Sequence, residues 1–181
     1  MRTLFAILLL TMSQLVFSDE KEQSDVKEAS MENTLLNHLI GEWNIKDWSL
    51  DKQGQWQEGQ GADWNWYKIL DGQAIQDDWI APSLSHTIEP GQRQFGTNIR
   101  IYNPQKKQWE MAWMSSNGKK LDTFSAQEYT DKVVMTGYYA GTDSRITFFN
   151  IGTDAFDWKL ELQQKDKSWL EAYRIKGTRK Q

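Results

Sequence analysis

The chain has no cysteine. That excludes disulfides, thiolate nucleophiles, zinc–cysteine centres and lipid attachment through an N-terminal Cys, so packing alone must hold the fold. Histidine is almost as scarce, occurring only at His38 and His86. No His-x-His or His-x₃-His spacing exists, and no metal site is expected. There is no excess of one charge sign either: 21 Lys and Arg stand against 25 Asp and Glu, for a net charge of -4. The two signs are interspersed, and only Lys176, Arg179 and Lys180 make a locally basic stretch. A basic stripe that would track phosphates is missing, so nucleic acid is not an expected partner.

Known catalytic patterns are missing too. Gly59-Gln60-Gly61 lacks a third glycine and a following helix, so it is no dinucleotide loop. No Gly-x-Ser-x-Gly elbow occurs. No catalytic residue, metal ligand or cofactor is therefore assigned. No apolar run approaches the roughly 20 residues that a membrane-spanning helix needs. The strand-like segments lack the lipid-facing apolar band of a transmembrane barrel, so stable membrane insertion is not expected.

What the chain does have is tryptophan, ten in 181 residues. Each brings a large apolar ring with a single polar N–H, so most must be buried. With 39% hydrophobic and 25% charged residues, the composition is that of one globular domain.

The N-terminus reads as a secretory signal peptide over residues 1–18. Arg2 supplies the positive start, 4–10 is almost continuously apolar, and Val16-Phe17-Ser18 precedes the polar Asp19-Glu20. Export to the periplasm or the exterior follows from that reading. Residues 19–29 carry no aromatic and read as a flexible polar leader. The domain spans 30–181. It opens with a short amphipathic helix over 30–40, with Ser30 as N-cap and Met31, Leu35, Leu36, Leu39 and Ile40 on one face. Gly41 marks the helix stop.

From Gly41 onward, aromatic and β-branched residues alternate with polar ones between turn signals. Asp71-Gly72 and Asn117-Gly118 suit hairpins with positive φ at both positions, and Asn103-Pro104 suits a turn. The remaining breaks fall near 51–54, 130–131, 141–143, 152–154 and 165–167. Strands are predicted over 42–50, 55–70, 73–80, 96–103, 108–116, 119–129, 132–139, 145–151, 155–164 and 168–178. Gly59 and Gly61 predict a bulge or bend inside the long second strand. Residues 81–95, with Pro82 and Pro90, are the longest irregular stretch and predict a mobile flap over an opening. About ten strands joined by tight hairpins predict an all-β, antiparallel up-and-down barrel, because closure removes the edges of so long a sheet. A two-sheet sandwich is the rival, but it needs longer connections.

Leu39-Ile40-Gly41-Glu42-Trp43 places Gly-x-Trp at the entry to the first strand. This resembles the lipocalin and calycin superfamily. The resemblance implies that Trp43 closes the barrel base under an Arg of the last strand, either Arg174 or Arg179, as a cation–π pair. Residues 96–103, 113–118, Tyr173-Arg174 and Thr178-Arg179 extend the resemblance to a bacterial family of exported lipocalin-like domains of unknown function. It implies a barrel with an internal cavity and no particular reaction.

Alternation puts Trp residues in same-face sets, such as Trp64 with Trp66 and Trp109 with Trp113. A barrel of eight or more strands has room for a small guest. The expected lining is Trp64, Trp66, Trp79, Arg100, Tyr102, Trp113, Tyr138 and Trp158, and the expected partner is a small apolar or aromatic ligand. Asp77 and Asp78 are neighbours on a strand and must face opposite ways, so one is an inward acid with a partner and the other is solvated. Asp122, Glu110 and Glu171 are further acids that could line the barrel. The reading favoured is a non-enzymatic binding protein. The alternatives are a lyase- or isomerase-type enzyme using an inward acid and Arg, and a carbohydrate-binding module with Trp on an exposed groove.

Overall fold

The structure, a computed structural model, describes residues 34–181. The signal peptide, the leader and residues 30–33 of the expected helix lie outside the described residues. Eleven strands follow one another: β1 (Gly41–Leu50), β2 (Trp56–Glu58), β3 (Ala62–Ile69), β4 (Ala74–Ala81), β5 (Gln94–Asn103), β6 (Gln108–Ser115), β7 (Leu121–Glu128), β8 (Lys132–Tyr139), β9 (Thr142–Phe149), β10 (Ala155–Gln163) and β11 (Trp169–Arg179). All pairings are antiparallel: β3 to β11 pair in chain order, β1 pairs with both β2 and β3, and β11 pairs back onto β1. The result is an all-β, antiparallel closed barrel with β2 as an extra strand. Closure of β11 onto β1 removes the outer edges of the long sheet and leaves an unpaired edge at the short β2.

The expected long second strand is split. β3 pairs with the first half of β1 (Gly41↔Trp66 to Ile45↔Ala62), and β2 with its second half (Trp48↔Glu58 to Leu50↔Trp56). Between them Gly61 has φ +69 and approaches the Ile45 carbonyl so closely that a Cβ would sit 2.5 Å from it. Glycine is required there on both counts. Asp47 staples the break, accepting from the Gly61 N–H at 2.8 Å.

The helix expected over 30–40 is corrected. Its described part is a 3₁₀ helix over Leu35–Leu39, with Thr34 as N-cap and Ile40 as C-cap. Side chains three apart eclipse in a 3₁₀ helix, which stacks Leu36 and Leu39 on one side, and both are fully buried. Glu128 of β7 accepts from the Leu35 N–H at 3.1 Å and from Trp109 Nε1 at 3.2 Å, fixing the helix start to the barrel. The turn at 117–118 also differs. Positive φ falls on Lys119 and not on Asn117 or Gly118, whereas Asp71 and Gly72 both adopt it.

The 3₁₀ helix plugs one end of the barrel. Trp43 Nε1 donates to the Leu39 carbonyl at 2.7 Å. Arg179, opposite Trp43 in register, lies over its ring at 4.1 Å. Its guanidinium donates to the carbonyls of Ile40, His38 and Thr153. The choice left open in the sequence is thus settled for Arg179. Arg174 points outward and stacks on Trp56 at 3.7 Å instead, because neighbouring strand positions alternate faces and 174 is out of phase with 179. Arg179→Ala removes the cation–π contact and leaves helix-end carbonyls without their donor. It should cost about 2–4 kcal/mol of unfolding free energy in denaturant titration, while Arg174→Ala should cost well under half of that.

Candidate functional site

Strand direction assigns the two ends of the barrel. β4 runs away from the plug, so the irregular stretch 82–93 lies at the far, open end, with the turns at 51–55, 116–120, 140–141 and 164–168. Just inside that end is a cavity of about 420 Å³. Trp64, Trp79, Trp113 and Trp158 wall it, with Tyr139 and Tyr173 toward the mouth and Asn98 and Arg100 among the lining side chains. Most of these rings meet their neighbours edge-on. Trp64 and Trp79 have centroids 5.2 Å apart at 89°, and Trp158 and Tyr173 are 5.9 Å apart at 84°. Edge-to-face contact suits the ring quadrupoles and holds the walls apart. Trp113 reaches its place only because residue 96 is glycine: a Cβ there would lie 2.1 Å from the indole.

Below the cavity is a buried ion pair. Arg100 Nη1 donates to Asp77 Oδ2, Trp64 Nε1 donates to Asp77 Oδ1 at 2.6 Å, and the guanidinium lies 4.0 Å over the Trp66 ring. The two side chains are 1% and 0% exposed. Burial pushes the Asp77 carboxyl up from its ordinary range, with Arg100 and the Trp64 N–H pulling it back, and burial likewise pushes Arg100 down. Both carboxylate oxygens are engaged, and a guanidinium does not lose its proton in proteins. Asp78 faces outward and accepts from the Tyr67 hydroxyl at 3.0 Å. At the mouth, Asp122 pairs with Lys120 at 2.6 Å. Tyr173 donates to Asp47 at 2.6 Å, and burial together with that bond pushes its phenol well above the ordinary range, so it remains a donor.

Of the residues singled out from sequence, Trp64, Trp79, Arg100, Trp113 and Trp158 face the cavity. Trp66 is buried beneath Arg100. Tyr102 lies toward the plug, edge-on to Trp109 at 5.6 Å. Tyr138 is a correction: it is 63% exposed and points outward. Val133, Met135 and Tyr139 hold the inward phase of β8, which puts 138 on the other face. Glu110 and Glu171 are outside, paired with Lys106 and Arg174. Asn98, Tyr139 and Tyr173 were not singled out. Asn98 shares the face of Arg100 by being two residues away, a signal that alternation carries. The other two need the strand register, which comes from pairing across the barrel. His38 and His86 stand apart, and among the described residues no three His, Cys, Asp or Glu side chains gather as a metal site requires.

The stretch 82–93 is tied to the outer face of β3 and to itself. Asp63, on the outer face of β3, accepts from the Leu84 N–H at 2.6 Å and from the Ser83 hydroxyl at 2.9 Å, and pairs with Lys180 at 2.6 Å. Arg93 donates to the carbonyls of Pro82 and His86. Burial raises the Asp63 pKa, but the bonds from Lys180, Leu84 and Ser83 together outweigh it and bring the carboxyl below its ordinary range. The tether therefore stabilises the fold fully above the ordinary carboxylate value of about 3.9 and is lost as the pH falls through the lower, folded-state value. Amide exchange at Leu84 should keep its protection factor from neutral pH down to about pH 4 and lose it below that; Asp63→Asn should lose part of it already at neutral pH.

No protein-family profile and no curated protein matches the sequence. Among solved structures, the S-type phycobiliprotein lyase of Guillardia theta is similar in fold, with a TM-score of 0.52 and 13% sequence identity over 80% of this chain and 90% of that one. The similarity is one of barrel architecture.

Proposed function

We propose that this protein is an extracytoplasmic binding protein that holds a small, largely apolar or flat molecule in its barrel, without transforming it. The single observation that carries the reading is the cavity of about 420 Å³ walled by four Trp rings at the unplugged end. Mostly apolar clefts of a few hundred Å³ with a few convergent polar groups are the usual form of small-molecule sites. Catalysis inside the barrel would need an inward acid free to exchange a proton with the guest. Asp77 has both oxygens engaged, and Asp122 is paired to Lys120. A carbohydrate module would present Trp on an open groove. Of the Trp residues on the outer face, Trp56 and Trp169 are covered by Arg174 and Arg145, at 3.7 and 4.6 Å, and Trp48 is half-buried.

Titration with a panel of apolar ring compounds and terpenoids should quench intrinsic Trp fluorescence with a micromolar midpoint for at least one of them. Trp113→Ala should weaken that guest about tenfold or more, as expected when one aromatic wall is removed, and Trp169→Ala should leave it unchanged. No quenching by any compound would contradict the reading.

The place of action outside the cytoplasm is supported by Arg2, the apolar run over 4–10 and the polar change after Ser18. Sequencing the N-terminus of the exported protein should give Asp19 first; a retained Met1 would contradict it.

A further inference from the structure

We propose that the guest is an electrically neutral, flat ring compound with one N–H or O–H donor that Asn98 receives, and that anions are excluded. This rests on the small-molecule reading above and names the class of ligand for the same cavity. Arg100 is the one cation lining the cavity among the described residues, and Asp77 cancels its charge in contact. Asp77 meets the guanidinium at Nη1 and the Arg100 Nε–H has no hydrogen-bond partner, but a carboxylate drawn to it would place a second negative charge beside Asp77 in a buried site, which is strongly unfavourable.

The other charges near the cavity do not help an anion. Lys120 at the mouth is already paired with Asp122 at 2.6 Å. Asp47 stands directly behind Tyr173, which donates to it, and no Lys or Arg among the described residues forms an ion pair with it. Its field at the cavity wall is negative and repels like charge in a poorly screened interior. What the lining offers a neutral guest is an acceptor. Asn98 lines it, is 6% exposed, and its Oδ1 has no hydrogen-bond partner. A buried acceptor left unpaired is costly, and a guest that brings a donor relieves that cost. The Trp rings give the rest of the guest an apolar aromatic wall, on which a flat ring system can stack.

The test compares naphthalene-2-carboxamide, naphthalene-2-carboxylate and naphthalene, by quenching of Trp fluorescence at pH 7.5. These share one ring system and differ in charge and donor. The amide should bind at least about tenfold more tightly than the carboxylate. Asn98→Leu should abolish the amide's advantage over naphthalene, both measured on that variant. Asp77→Asn uncovers the charge of Arg100, so the preference should turn toward the carboxylate, which should also raise the melting temperature of that variant. If Asp77→Asn does not fold, the wild type and Asn98→Leu decide. Carboxylate binding as tight as the amide in the wild type, or an amide affinity untouched by Asn98→Leu, overturns the proposal. Should naphthalene bind while the amide gains nothing over the carboxylate, the small-molecule reading stands and this inference falls. Should none of the three bind, this inference falls, and the wider panel decides the small-molecule reading.

Discussion

The pairing of β1 with β11 is the constraint on which everything else rests. It sets Trp43 opposite Arg179, Ile45 opposite Gly177 and Ser49 opposite Tyr173. Because side chains alternate with period two, a slip of one residue along this seam would send the inward set outward. The seam is guarded at the plugged end, where Arg179 covers Trp43 and binds carbonyls on both sides of the closure. At the other end Tyr173 and Gly61 meet on Asp47, so the same strand is held where the cavity begins. Closure and cavity are thus two consequences of one register.

Along the barrel axis the interior changes character. Next to the 3₁₀ plug it is fully packed with Leu36, Leu39, Trp43, Trp109 and Phe156. In the middle it spends its polarity on one ion pair under Trp64 and over Trp66. A buried ion pair seldom adds net stability, but it makes any arrangement that separates its members very unfavourable. Here that fixes β4 against β5 and orients the Trp64 indole through its N–H. Above this floor the rings stand edge to face and leave space. Volume that a core would normally fill is kept open by aromatic geometry, with Gly96 yielding room for Trp113.

Much of this architecture was legible from local signals. Turn dipeptides and alternation located the strands, and Gly59 with Gly61 marked the break in the second one. The Gly-x-Trp entry placed Trp43 at the base. The failures have a common cause. Choosing Arg179 over Arg174, and Tyr139 over Tyr138, depends on the phase of a strand relative to its partners, and strands rich in apolar residues on both faces do not state their phase. Tyr138 is an aromatic that the outer wall simply leaves exposed. The start of β9 was misplaced for another reason: the tight turn uses Ala140 and Gly141 with positive φ, and alanine gives no warning of such a conformation. The 3₁₀ geometry of Leu35–Leu39 follows from its contacts with Glu128 and the barrel end, which no helical periodicity can report.

The central claim is that the aromatic space at the open end is a binding site and not a packing remnant. The most direct measurement is a crystallographic map of the protein grown with a saturating flat aromatic compound. Density for that compound is expected between Trp64, Trp79, Trp113 and Trp158, with the Asp77–Arg100 pair intact beneath it. Rings collapsed into the space, with the compound absent or bound only on the outer wall, would contradict it.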